Sequence, residues 1–144
     1  MREESSDENS NKETACEIIS SSITGIITDE LNKYVISTGM DGKIKVWDFL
    51  RLKLIQTIEV ENNLSISHLT NKGSLFSLIT SNLSLLVYDL NTMKLIRKFD
   101  NIHDNAVTGS CFSHDSKWII TTSMDKSLKV WDLLTSTLID WVAF

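Results

Sequence analysis

Apolar and polar positions alternate along the chain in short runs, without the long amphipathic stripes that predict helices. From residue 23 onward, brief segments rich in Ile, Val, Thr and aromatic residues are separated by polar turn sequences such as Met40-Asp41-Gly42-Lys43. Such segments are typical of β-strands. The pattern therefore predicts an all-β protein with strands at 23–28, 34–38, 44–48, 53–58, 66–70, 75–80, 85–89, 94–99, 106–113, 118–123, 128–132 and 137–142.

A five-residue pattern that starts with an aliphatic residue and ends in valine, an aromatic residue and aspartate occurs three times, at Ile44–Asp48, Leu85–Asp89 and Leu128–Asp132. The aromatic residue is Trp47, Tyr88 and Trp131, so successive copies are 41 and 43 residues apart. Each copy follows two predicted strands and precedes one more. Four short antiparallel strands in a repeat of this length indicate a β-propeller blade.

The dipeptides Trp47-Asp48 and Trp131-Asp132 lie where the WD-repeat β-propeller family has its signature, and residues 23–144 resemble that family. The resemblance implies a WD-repeat β-propeller fragment of three four-stranded antiparallel blades. We expect blade 2 to be degenerate because it has Tyr88 in place of tryptophan. The predicted organisation is an acidic polar arm or insertion at 1–22, blade 1 at 23–62, blade 2 at 63–99 and blade 3 at 100–144.

Charge separates the arm from the blades. Residues 1–22 carry six acidic and two basic side chains, whereas the other 122 residues carry thirteen acidic and twelve basic ones. A polar, acidic segment with few apolar residues predicts a flexible arm. The nearly neutral remainder lacks the basic excess of a nucleic-acid-binding surface. No apolar stretch is long enough to predict a membrane helix.

A buried polar network in blade 3 follows from the resemblance. In this family a His before the first strand, a hydroxyl on the second, an Asp in the next turn and a Trp on the third strand bond to one another. These positions correspond to His103, Thr121, Asp125 and Trp131, with Ser123 as the alternative hydroxyl. An orphaned member of such a buried set would cost about 1–3 kcal/mol.

The other two blades keep only part of this set. Blade 1 has Ser37, Asp41 and Trp47 but no His at the corresponding place, and blade 2 has Asn82 and Tyr88 in place of Asp and Trp. We therefore expect both blades to be held mainly by apolar stacking.

A catalytic triad of Thr121, His103 and Asp125 is the alternative interpretation of the blade 3 set. The structural network accounts for every member, so we predict no catalytic residue and no enzyme activity. Cys16, Cys111 and the three histidines lack the spacing of metal ligands, so no metal and no cofactor is expected.

Partner contacts are expected on turns, because loops on a rigid scaffold concentrate binding residues. The candidate partner-binding residues are Met40, Lys43, Asp104, Met124 and Lys126. Trp118 and Trp141 are alternatives for a binding surface, although we expect both to pack at the edge of the core.

Three blades do not close a propeller, which usually has four to eight. We therefore expect the chain to be a piece of a longer protein. Self-association through the exposed faces of the end blades is the alternative.

The Ser123-Met124-Asp125 turn and the Leu138-Ile139-Asp140 ending resemble one branch of WD-repeat proteins, the tandem-propeller subunits of the UtpB subcomplex of the small-subunit processome. This resemblance implies a non-catalytic nucleolar scaffold in pre-ribosomal RNA processing and small ribosomal subunit biogenesis. Its partners would be other processome proteins, and contact with pre-ribosomal RNA or a small nucleolar ribonucleoprotein would be direct or indirect. The alternative is a generic cytosolic WD-repeat adaptor, such as a ubiquitin-ligase substrate receptor.

Overall fold

The computed structural model describes residues 21–144, and β-strands dominate this range. The strands are β1 (Ile23–Thr28), β2 (Tyr34–Gly39), β3 (Lys43–Asp48), β4 (Leu54–Glu59), β5 (Ile66–Lys72), β6 (Leu75–Thr80), β7 (Leu85–Asp89), β8 (Leu95–Phe99), β9 (Val107–Phe112), β10 (Trp118–Ser123), β11 (Ser127–Asp132) and β12 (Thr137–Ala143). A short 3-10 helix covers Glu61–Asn63. Within 21–144, no helix is long and apolar enough to cross a membrane. The predicted arm lies outside the described residues, apart from Ser21 and Ser22.

The strands form three four-stranded antiparallel sheets, each made of consecutive strands. Strands β1 to β4 form blade 1, β5 to β8 form blade 2, and β9 to β12 form blade 3. The first strands of neighbouring blades contact each other: β1 contacts β5, and β5 contacts β9. The all-β prediction of three four-stranded antiparallel blades is confirmed, whereas the residue limits given to the blades stay a prediction.

Two apolar cores fill the seams between the blades, because alternate side chains of a strand point to opposite faces of its sheet. Between blades 1 and 2, residues such as Ile36, Ile44 and Phe76 are fully buried. Between blades 2 and 3, Ile79 and Ile119 are equally buried. Blade 2 is covered on both faces, which explains why β6 and β7 are almost continuously apolar.

One end of the blades, which we call the turn face, consists of the β2–β3, β6–β7 and β10–β11 turns with the segments that link the blades. Backbone bonds tie these parts together: the Val60 N–H donates to the Gly42 carbonyl at 2.9 Å, and the Ile102 N–H donates to the Leu83 carbonyl at 3.0 Å. Gly42 has φ +74°, and a Cβ there would lie 2.5 Å from the Asn63 backbone. Glycine at this turn therefore permits the close approach of the linking segment.

Two expectations about single elements are wrong. Trp118 and Trp141 do not pack into the core but are 46% and 58% exposed. Trp118 begins β10 and Trp141 lies on the outermost strand of blade 3, and neither belongs to the two apolar cores of the described residues. In addition, β5 continues to Lys72 because this residue pairs with Leu75. The expected four-residue turn is therefore a tight two-residue turn.

Candidate functional site

The polar set of blade 3 forms one hydrogen-bonded chain. The indole N–H of Trp131 donates to Thr121 Oγ1 at 2.9 Å, and Thr121 Oγ1 lies 2.8 Å from Nε2 of His103. The other ring nitrogen, Nδ1, lies 2.9 Å from Asp125 Oδ2. Each donor of this chain has an acceptor when the Thr121 hydroxyl donates to Nε2 of His103 and the Nδ1–H of His103 donates to Asp125. The chain joins the turn face to the middle of the blade.

Hydrogen bonds control the electrostatics of Asp125. Burial by itself would raise the pKa of this carboxyl group, but the Ser127 hydroxyl, the backbone N–H of Asp104 and the His103 ring all stabilise its charged form. The Asp104 N–H donates to Oδ2 at 3.0 Å, and the Ser127 N–H donates to Oδ1 at 2.9 Å. Together these bonds hold the pKa of Asp125 well below its ordinary value of 3.8.

Ser127 is the member of this network that sequence reasoning missed. Its hydroxyl donates to Asp125 Oδ1 at 2.5 Å and lies 3.1 Å from His103 Nδ1. A serine two residues after a turn aspartate is the signal, because such a spacing lets the side chains bond within one turn. Ser123, the alternative hydroxyl, instead lies 2.9 Å from the carbonyls of Asn105 and Ala106. Ser123 thus holds the linking segment rather than the indole.

Blade 1 contains a shorter version of the set. The Trp47 indole N–H donates to Ser37 Oγ at 2.9 Å. Asp41 accepts a bond from the backbone N–H of Lys43 at 3.1 Å, which closes its turn. Ser37, Asp41 and Trp47 also line a small cavity of about 30 Å³. The structure therefore brings the three predicted residues of blade 1 to one place.

Blade 2 replaces the network with apolar contacts. Tyr88 pairs with Phe76 across β6 and β7, and their rings stack with centroids 5.2 Å apart. In blades 1 and 3, the residue on the second strand that pairs with the tryptophan is followed two positions later by a hydroxyl residue, Ser37 or Thr121. The corresponding residue of blade 2 is Leu78. Tyr88 therefore has no hydroxyl at this position to bond to, and apolar packing replaces the hydrogen bond.

The predicted partner-binding residues lie on the turn face. Met40 and Met124 are 56% and 63% exposed. Asp104 and Lys126 are also exposed, and Lys43 is half-buried. The strand ends and turns of this face carry more acidic than basic residues: Asp41, Glu59, Glu61, Asp100, Asp104 and Asp125 against Lys43, Lys98 and Lys126. Two exposed methionines in acidic surroundings make a surface suited to protein contacts.

The geometry favours a structural role for the blade 3 set. Thr121 is fully buried and His103 is 3% exposed, so a substrate has no access to the Thr121 hydroxyl. That hydroxyl also accepts the Trp131 bond. Among residues 21–144, no cluster of three or more His, Cys, Asp or Glu side chains is placed to hold a metal ion.

The consecutive four-stranded blades and the Trp-Asp dipeptides on β3 and β11 define a WD-repeat β-propeller domain. Residues 7–144 match the model of one family within this class, the WDR36/Utp21 second beta-propeller domain, and the chain belongs to this family.

Three relatives agree with this assignment. The chain is 32% identical over 119 residues to human WD repeat-containing protein 36. It is 30% identical over 120 residues to U3 small nucleolar RNA-associated protein 21 of Saccharomyces cerevisiae, and 27% identical over 121 residues to the Schizosaccharomyces pombe homolog of that protein. Each alignment covers 83% or 84% of this chain. The aligned part spans only 13% of the length of each relative.

Proposed function

We propose that this chain is a non-catalytic protein-interaction scaffold of the small-subunit processome, acting in pre-ribosomal RNA processing and small ribosomal subunit biogenesis. Membership of the WDR36/Utp21 family carries this proposal. The relatives named as U3 small nucleolar RNA-associated proteins support it. In this proposal the protein works in the nucleolus.

The blade 3 network supports the non-catalytic part of the proposal. Its His, Asp and Thr side chains bond to one another and to Trp131 in a buried place. Their bonding capacity is used to join the β10–β11 turn to the segment before β9. The groups that most resemble a catalytic set therefore stabilise the blade.

We assign partner contact to the turn face, with Met40 and Met124 as apolar contacts and Lys43, Asp104 and Lys126 as polar ones. Exposed methionines adapt their shape to a partner surface. The acidic surroundings repel phosphate groups. We therefore propose that proteins contact this face directly and that any pre-ribosomal RNA or small nucleolar ribonucleoprotein is reached through them.

The test is affinity purification of the full-length protein expressed at its native level. We expect processome proteins and U3 small nucleolar RNA to co-purify, and a fluorescent fusion to concentrate in the nucleolus. A double variant, Met40→Glu with Met124→Glu, is expected to lose some of the protein partners by placing carboxylates on the apolar contacts.

Leu134→Glu is the matched control, because Leu134 is 82% exposed on the β11–β12 turn at the opposite end of blade 3. This variant is expected to keep all partners. Purification without any processome protein or U3 RNA would overturn the proposal. Recovery of ubiquitin-ligase subunits instead would favour the generic adaptor.

A further inference from the structure

A groove opens in the seam between blades 1 and 2, beside the turn face. It encloses about 440 Å³ between the end of β4, the linking segment and strands β7 and β8. Leu86 and Tyr88, each 5% exposed, form its floor, and Leu95, which is 46% exposed, forms one wall. This volume is within the usual range for ligand pockets. We call this space the seam groove.

One change of residue type makes the floor apolar. The position two residues before the aromatic residue of the third strand is Lys45 in blade 1 and Lys129 in blade 3, but Leu86 in blade 2. Lys129 reaches across its own seam, donating from Nζ to the Ile102 carbonyl at 2.9 Å. Leu86 cannot make such a bond, so the seam between blades 1 and 2 keeps an uncharged floor.

The rim of the seam groove is acidic. Glu59 and Glu61 line it, with Lys98 as the one basic residue among the lining residues described. Lys98 Nζ lies 3.1 Å from Glu61 Oε2 and 3.7 Å from Asp100 Oδ1, so two carboxylates share this ammonium group. An apolar floor beside an excess of carboxylates is complementary to an apolar side chain next to a positive charge.

Resting on the proposed scaffold function, we propose that the seam groove binds a segment of a protein partner that combines one large apolar side chain with an adjacent lysine or arginine. The apolar side chain packs on Leu86 and Tyr88. The basic side chain pairs with Glu59 or Glu61. An RNA does not fit this chemistry, because its phosphates would face the same carboxylates.

Photo-crosslinking in the full-length protein tests this assignment. The probe is p-benzoylphenylalanine at position 95, on the wall of the seam groove. The control probe is at position 138, because Leu138 occupies the corresponding place in blade 3 and is 41% exposed. After irradiation in cells, mass spectrometry identifies the attached peptide. We expect position 95, and not position 138, to capture a protein segment with an apolar residue beside a lysine or arginine.

Variants then test the chemistry of the captured segment. Leu86→Lys gives the floor the lysine that blades 1 and 3 already accommodate, and should lower the crosslinking yield about tenfold by removing a central apolar contact. Glu61→Lys, at a side chain 72% exposed, should lower it severalfold. Asp140→Lys, on the exposed part of β12, is the charge control and should leave the yield unchanged.

Several results would overturn the seam groove assignment: no crosslink above the unirradiated sample, capture of RNA or a second copy, an attached segment without a basic residue, or an unchanged yield in both groove variants. If Leu86→Lys unfolds the domain, Glu61→Lys decides. U3 RNA is measured in the same extracts. Its co-purification without a crosslink rejects the groove and keeps the scaffold, whereas a basic-segment crosslink without U3 RNA rejects the processome role alone.

Discussion

Blades 2 and 3 have the same strand order but are held together by different interactions. Blade 3 joins His103, Thr121, Asp125 and Trp131 through hydrogen bonds, with distances between 2.8 and 2.9 Å. Blade 2 has apolar residues on both faces of β6 and β7 and a stacked aromatic pair. The blade architecture therefore does not depend on a polar network where a second sheet covers each face of the blade.

The largest effect is expected where blade 2 relies on packing. Phe76 is fully buried against Tyr88, so Phe76→Ala should lower the free energy of unfolding by about 3–5 kcal/mol. Urea denaturation followed by tryptophan fluorescence measures this change. Phe144→Ala, at a side chain 82% exposed, is the matched control and should change little. Equal effects of the two substitutions would contradict the packing account of blade 2.

The next effect concerns the hydroxyl at the centre of the blade 3 network. Thr121→Val keeps the shape but leaves the Trp131 N–H and the His103 Nε2 without a partner, which should cost about 2–3 kcal/mol. Thr122→Val is the control, because the bond from Thr122 to Thr108 is exposed. The same denaturation experiment compares them. A cost for Thr121→Val no greater than that of the control would mean that the network adds no stability.

A pH titration measures the charge in that network. Because the pKa of Asp125 is depressed in the folded state, its contribution to stability is present above its ordinary value of 3.8 and is lost as the pH falls through the folded-state pKa. Relative to Asp125→Asn, the wild-type protein should therefore lose about 1–2 kcal/mol of its advantage on acidification from neutral pH. Unfolding curves of both proteins at a series of pH values give this difference. If the free energies of unfolding of the two proteins change in parallel with pH, folding does not stabilise the charged form of Asp125.

The smallest effect, with opposite sign, is expected in blade 2. Ser77 Oγ is buried and has no hydrogen-bond partner among residues 21–144. Ser77→Ala removes an unsatisfied group at almost constant volume, so we expect stability to stay the same or to rise by up to about 1 kcal/mol. Ser127→Ala in blade 3 removes a bonded hydroxyl and should destabilise the protein. Destabilisation by Ser77→Ala would indicate that this hydroxyl has a partner in solution.

The repeat made the fold predictable from the sequence. Apolar runs and turn sequences located the twelve strands of residues 21–144, because most of them pack against a neighbouring sheet and are apolar on that side. The outer strands β4 and β12 are largely exposed, and their place in the repeat located them. The remaining errors were local. Only the pairing of Lys72 with Leu75 reveals the length of β5, and pairing depends on a partner strand rather than on the strand's own residues.

The candidate site was predictable where a motif existed. The resemblance led to the four blade 3 residues that the structure joins, but it carried no position for Ser127. Nor did it show that blade 2 has Leu78 in place of a hydroxyl, because this correspondence follows from the register of β6 against β7. The seam groove was also missed, since it arises from three separate stretches of the chain, within 58–64, 80–88 and 93–98.

The two kinds of interaction, one within blade 3 and the other within blade 2, have different consequences for how the sequence can change in evolution. The hydrogen-bonded network of blade 3 accepts a new residue at one position only if its other members still find partners, so these residues are constrained to change together. The stacked pair of Phe76 and Tyr88 requires mainly suitable size and hydrophobicity, and hydrophobic residues of similar volume meet both requirements. Blade 2 is therefore the part of the described chain in which substitutions can change the surface with little loss of stability.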